Sequence, residues 1–308
     1  MDPGTSPAFF PELVEMVSFL RWPLMACLLL PGLLVYLGLH IIRREIIFVD
    51  LALAQVAALG TCVAILIGHH DKFWELPIHI FDKEPFKISY AYAWSVSFTI
   101  IGAAVFTLTR GRQNKKVPQE ALIGIIYVVA AAAGILLLSG SPNGKEELQE
   151  TLVGDLLHIS KPSQVFRPFT LFAVIALVHY IFRKQFLALS FDHEVSPKSG
   201  FSVKWWDFLF YSLFGLAVTS FVEIGGVLLV FSYLIVPAVC ANFLANRLKS
   251  MLLIGWIVAT VSSAGGLYSS YKFDLPTGAA IVCVFGAILI LCGIIARLKR
   301  LKSSPLTS

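Results

Sequence analysis

Residues 183–204 read RKQFLALSFDHEVSPKSGFSVK, a polar interruption between two long hydrophobic halves of one chain. Its ends are basic, through Arg183, Lys184, Lys198 and Lys204, and basic loops collect at the cytoplasmic face of a bilayer. Its middle has the spacing of a short amphipathic helix that would offer Phe186, Leu187, Leu189 and Phe191 to a partner. The hydrophobic halves on either side are then stacks of membrane spans, and the interruption is a surface loop between them.

Composition agrees with that reading. Of 308 residues 57% are hydrophobic and 14% charged, and the mean hydropathy is +0.80. These values describe a polytopic all-α membrane protein. A helix needs roughly 20 apolar residues to cross a bilayer, and the chain holds about nine such stretches, with eight spans as the alternative count. They fall near 23–42, 46–68, 89–109, 122–139, 165–182, 205–222, 224–244, 251–270 and 278–295, with a kink expected at Pro31 and Gly32. Glu223, Gly225 and Gly226 predict a tight turn between the sixth and seventh. The segment LVGDLLHI (152–159) is too short to cross and is expected to be re-entrant or to lie on the surface. Three regions follow: an external N-terminal segment over 1–22, a transmembrane domain over 23–300 that contains the loop 183–204, and a cytosolic tail over 301–308.

The net charge of +5 is a topology signal rather than a nucleic-acid footprint, because the basic residues sit in loops between apolar runs. On alternate sides of the nine-span arrangement one face receives 16 of the 24 Lys and Arg residues and the other 8. The richer face is cytoplasmic, which puts the N-terminus outside and the C-terminus inside, in the cell (inner) membrane of a multi-pass protein. The five cysteines all lie in apolar runs without CxxC spacing, so no disulfide framework is expected. The first apolar run lacks a basic leader and a small-residue cleavage site, and reads as a retained helix.

Few residues carry chemistry. The stretch Gly140-Ser-Pro-Asn-Gly144-Lys145-Glu146 has the wrong spacing for a phosphate loop and ends in Glu, so ATP hydrolysis is not expected of this chain. Asp50, in the second span, is functional, paired with Arg43 or Arg44, or within reach of interfacial water, since an unpaired carboxylate in hydrocarbon costs at least about 3 kcal/mol. Gln55 beside it can hydrogen-bond across a helix interface, and Ala52, Ala54, Ala57, Ala58 and Gly60 leave that helix thin enough for close packing. At the outer mouth, His69, His70 and Asp71 offer imidazole and carboxylate ligands suited to divalent transition metals, as does the nearby His79. Cys240 reads as a small core residue before it reads as a soft ligand. His179 stands alone in its span, with no partner for an embedded metalloprotease site.

From about Leu24 to the C-terminus the chain resembles the permease subunits of the manganese- and zinc-type ABC transporters. The stretches that carry the likeness, in order, are FVDLALAQVAALG (48–60), EALIGIIY (120–127), LVGDLL (152–157), FLALSFDHE (186–194), GGVLLVFSYLIVPAVCANFLANRLKSMLL (225–253) and GLYSSYKFDLPTGAAIV (266–282). The resemblance implies a type II ABC importer-like permease that works as a homodimer with a central pathway. It implies a cytosolic ATP-binding subunit, which holds the ATP, and an extracytoplasmic metal-binding protein as partners, with membrane lipid around the helices and no nucleic acid. It further implies that Ser190, Phe191, Asp192, His193 and Glu194 lie in a coupling helix seated on the ATPase, with Glu120 and the basic loop before it against the same partner. Members of this family often carry a GDALSH-type motif in the second helix, whose Asp and His, four residues apart, share one face. Here Asp50 and Gln55 are five apart, about 140° of rotation, and cannot chelate one ion from a regular helix.

The expected function is ATP-driven import of a divalent transition metal, zinc or manganese first and iron after them. Asp50 and Gln55 are candidate pathway residues, His69, His70 and Asp71 candidate outer capture residues, and no cofactor is permanently bound. The alternatives are an ion-coupled carrier using Asp50, or an importer of the same architecture for a chelate such as haem or cobalamin.

Overall fold

The computed structural model describes residues 9–68, 73–76, 86–110, 118–140, 154, 156–191 and 202–303. Ten α-helices organise them: α1 (Phe9–Leu29), α2 (Pro31–Arg43), α3 (Val49–Leu66), α4 (Tyr90–Arg110), α5 (Gln119–Leu138), α6 (Pro162–Ile181), α7 (Arg183–Phe191), α8 (Val203–Leu244), α9 (Leu248–Phe273) and α10 (Thr277–Ser303). Two short strands, β1 (Phe73–Leu76) and β2 (Phe86–Ser89), pair antiparallel with Phe73 opposite Ser89 between α3 and α4. A 3₁₀ turn covers Leu156–His158.

The first span differs from the sequence expectation. Helix begins at Phe9 rather than near Pro23, and Pro23 lies inside it. Leu30 keeps right-handed helical angles, and its N–H reaches the Ala26 carbonyl at 3.0 Å. Pro31 therefore occupies the first position of α2, where its missing N–H costs nothing. Residues 18–43 form one long apolar run, divided at Leu30 into α1 and α2 next to the expected Pro31–Gly32 site.

Among the described residues eight helical segments are long and apolar enough to cross a membrane, the first joining α1 and α2 over Ser18–Arg43, and α8 is long enough to do so twice. Its 42 residues would span about 63 Å if straight, against about 30 Å of bilayer hydrocarbon. It is not straight. Gly226 has φ 72° and ψ 166°, a region open essentially to glycine alone. Across that residue the rings of Phe221 and Tyr233 meet with centroids 5.4 Å apart, although twelve positions along one helix would separate them by about 18 Å. Both ends of α8 return to the last turn of α2: Asp207 pairs with Arg44 at 3.0 Å, and Asn242 lines a cleft with Ile42 and Arg43. The segment is a hairpin of two antiparallel arms, α8a (203–225) and α8b (227–244), so the described residues make nine bilayer-length passes. Gly154, at φ 62°, closes on the hairpin tip, where a Cβ would overlap the Gly225 carbonyl.

The two arms are the centre of the bundle. α8 packs against α2, α3, α4, α6, α9 and α10, and Phe210, Tyr211, Phe214, Phe221 and Tyr233 are fully buried along it. Hydroxyl pairs fasten the neighbours: Thr99 to Thr219 at 2.8 Å, Tyr92 to Ser220 at 2.6 Å, and Tyr233 to Ser263. Such interhelical hydrogen bonds hold helices together where lipid supplies no hydrophobic drive. By contrast, α5, α6 and α10 carry exposed apolar side chains such as Val128, Leu136, Leu177, Ile290 and Leu298, surfaces suited to lipid or to another chain.

Candidate functional site

The site forms where α7 crosses the end of the bundle that holds Arg43, Arg44 and Asp207. Phe186 and Ser190 are four residues apart and so share one face of α7, and that face points inward. Phe186 is fully buried, stacked on His179 of α6 at 4.3 Å and edge-on to Trp206 of α8 at 5.8 Å. The expectation that Phe186 is offered to a partner is therefore overturned. A surface helix must bury its apolar stripe somewhere, and α6 and α8a supply the aromatic walls within the same chain. Leu187, Leu189 and Phe191 are half-buried.

One turn after Phe186, Ser190 is 5% exposed. Its Oγ accepts from Arg44 Nε at 2.8 Å and lies 2.7 Å from His40 Nδ1. The other edge of the same guanidinium donates from Nη1 to Asp207 Oδ1 at 3.0 Å, and its central carbon lies over the Phe210 ring at 3.8 Å. The side chains of Arg44 and Asp207 are 1% and 2% exposed. Burying a guanidinium is tolerable only with a carboxylate partner and hydrogen bonds in place; here the carboxylate of Asp207, the hydroxyl of Ser190 and the face of Phe210 supply these contacts. Arg43 turns the other way, over the Phe191 ring at 5.5 Å.

A cleft of about 190 Å³ opens beside this joint, lined by Ile42, Arg43, Glu45, Ser190, Phe191 and Asn242. Glu120, at the start of α5, accepts from the Ile47 N–H at 3.4 Å. It thereby brings the α2–α3 turn and the start of α5 to the same end of the molecule as α7. Asp192, His193 and Glu194 lie outside the described residues, as do His69, His70, Asp71 and His79.

Asp50 is 1% exposed in the first turn of α3. Neither arginine pairs with it: Arg44 is held by Asp207 and Ser190. Asp50 Oδ1 instead accepts from the Leu51 N–H at 2.7 Å, and Oδ2 is buried without a hydrogen-bond partner among the described residues. A carboxylate at a helix N-terminus is favoured by the unsatisfied N–H groups and the dipole there. Gln55 is 5% exposed on the same helix. Cys240 sits in the hydrophobic core. Among the described residues no three His, Cys, Asp or Glu side chains gather as a metal site.

Sequence reasoning missed the joint itself: His40, His179, Asp207, and Arg44 in any role beyond topology or a partner for Asp50. The available signal was Asp207, a lone acid early in an apolar run, which needs a basic partner from elsewhere.

The model of the ABC 3 transport family matches residues 16–296. The manganese transport system membrane protein MntC of Listeria monocytogenes is 31% identical over 203 residues, covering 64% of this chain and 71% of the relative. MntC of Halalkalibacterium halodurans is 25% identical over 310 residues, covering 97% and 98%. Among solved structures, PsaBC from Streptococcus pneumoniae in complex with Fab superposes with a TM-score of 0.74 at 24% identity, over 96% of this chain and 100% of that one, a likeness of fold.

Proposed function

We propose a function from the premise that this chain belongs to the ABC 3 transport family: it is the membrane permease subunit of an ATP-driven importer of divalent transition-metal ions, manganese or zinc first and iron after them. The observation that carries this reading is the end-to-end likeness to a manganese transport membrane protein, on a fold of nine passes with a docking helix seated at one end. Hydrolysis falls to a separate cytosolic ATPase subunit, metal is delivered by an extracytoplasmic binding protein, and two copies of the chain enclose the pathway.

The basic end of the bundle is cytoplasmic in this reading, supported by the twofold bias of Lys and Arg toward it. α7 and the residues after it, Asp192, His193 and Glu194, then face the ATPase, with Glu120 and the loop before it alongside. ATP binding favours one state of the permease over another, so transport is a population shift driven by the partner. The metal ion is the substrate and passes through. Ligands on its route must release it, and Asp50 and Gln55 are the candidate polar groups along α3, with His69, His70 and Asp71 at the entrance.

The test is uptake of manganese and of zinc into proteoliposomes that hold the permease and its co-purified ATPase, with and without ATP. The variant carrying Asp192→Arg and Glu194→Arg is expected to lose the ATPase on purification and ATP-driven uptake with it. Uptake by the permease alone, abolished by Asp50→Asn, would replace this reading with an ion-coupled carrier.

A further inference from the structure

We propose that Arg44 is the coupling residue of this permease. On this view it converts displacement of α7 into movement of α2 and α8 by bridging Ser190 and Asp207 with the two edges of one guanidinium. The inference rests on the functional reading above, in which α7 receives force from an ATPase.

The geometry separates two kinds of attachment. The aromatic contacts of Phe186 with His179, Trp206 and Phe210 are non-directional, and a helix can roll or slide on such a surface. The end of α7 is held differently. Ser190 is bound to α2 through Arg44 Nε and His40 Nδ1, and Arg44 is bound to α8a through Asp207. Directional, charge-assisted hydrogen bonds in a buried site break or move as a unit rather than deforming smoothly. A shift of α7 therefore pulls on Arg44, and through it on α2 and α8a together. α2 carries the motion further, because a Cβ at its Gly38 would fall on the Leu234 carbonyl of α8b. The two helices touch backbone to backbone there and cannot slip independently. Phe186 is thus the fulcrum and Ser190–Arg44–Asp207 the latch, which connects the docking helix to both arms of the central hairpin.

Lysine cannot replace arginine in this role. Its compact ammonium carries the charge but lacks the planar fork that reaches a hydroxyl on one edge and a carboxylate on the other. The experiment uses the complete importer, permease with ATPase, in proteoliposomes, and reads metal taken up per ATP hydrolysed for wild type, Arg44→Lys, Ser190→Ala and the double variant. Each single variant is expected to lower that ratio about threefold or more, the fold-change one lost hydrogen bond supports. The double variant is expected to go little further, because both changes open the same latch. A purely structural role would lower the amount of intact importer, so uptake and hydrolysis would fall together and the ratio would hold. A wild-type ratio in Arg44→Lys and Ser190→Ala overturns the proposal alone. A wild-type importer that takes up metal without ATP overturns the functional reading, and this inference with it.

Discussion

Removing one member of the Arg44–Asp207 pair should be among the most damaging single changes in the chain, and removing both should not. The ions are 3.0 Å apart with side chains 1% and 2% exposed. At an effective dielectric of about 20, that separation corresponds to an attraction of about 5 kcal/mol, set against the desolvation of each ion. Asp207→Ala leaves Arg44 buried with its charge uncompensated, and losses of about 3–5 kcal/mol follow from breaking such pairs. Arg44→Met leaves the carboxylate stranded at similar cost and also removes the Arg44 hydrogen bond to Ser190, worth about 1 kcal/mol more, while the contact of Ser190 with His40 stays. The double variant Arg44→Met, Asp207→Leu removes both charges from an apolar shell of Phe210 and its neighbours. Replacement of a buried pair by apolar residues of similar size is often neutral or stabilising. The measurement is a double-mutant cycle by SDS titration in mixed micelles, following helix content. The expected result is a coupling energy of about 3 kcal/mol or more, with the double variant above either single one. Additive losses would refute the argument, because they would mean that the two charges do not stabilise one another across α2 and α8a.

The hairpin gives a distance prediction: spin labels at Trp205 and Phe243, both exposed, lie about 57 Å apart on a straight helix but should be within about 30 Å on two packed antiparallel arms. A broad population beyond about 50 Å would remove the second pass assigned to α8. For α3, Asp50→Asn keeps the acceptor for Leu51 and replaces the ionisable carboxyl with an amide, so the helix should fold and the ATPase should still co-purify while metal uptake drops; unchanged uptake takes Asp50 off the route.

The stack of membrane passes, the turn near Glu223–Gly226 and the surface segment at α7 were legible in the sequence, because each rests on local properties; the choice between eight and nine passes was settled by the break at Gly226. A bilayer demands about 20 apolar residues per crossing whatever the neighbours are, and glycine marks the place where the backbone needs a positive φ. Family membership was legible for the same reason, since it rests on ordered local stretches. The wiring between helices was not. Arg44 and Asp207 are 163 residues apart, and Arg44 and Ser190 146, and nothing in hydropathy says which face of one apolar helix meets which face of another. Sequence reasoning offered Asp50 the nearest arginines and gave Phe186 to a partner. The packed bundle instead gave Arg44 to Asp207 and Ser190, left Asp50 at the N-terminus of its own helix, and turned Phe186 inward. A buried charge must find its counter-charge wherever tertiary packing brings one, so the coupling joint exists only once α2, α7 and α8 have come together.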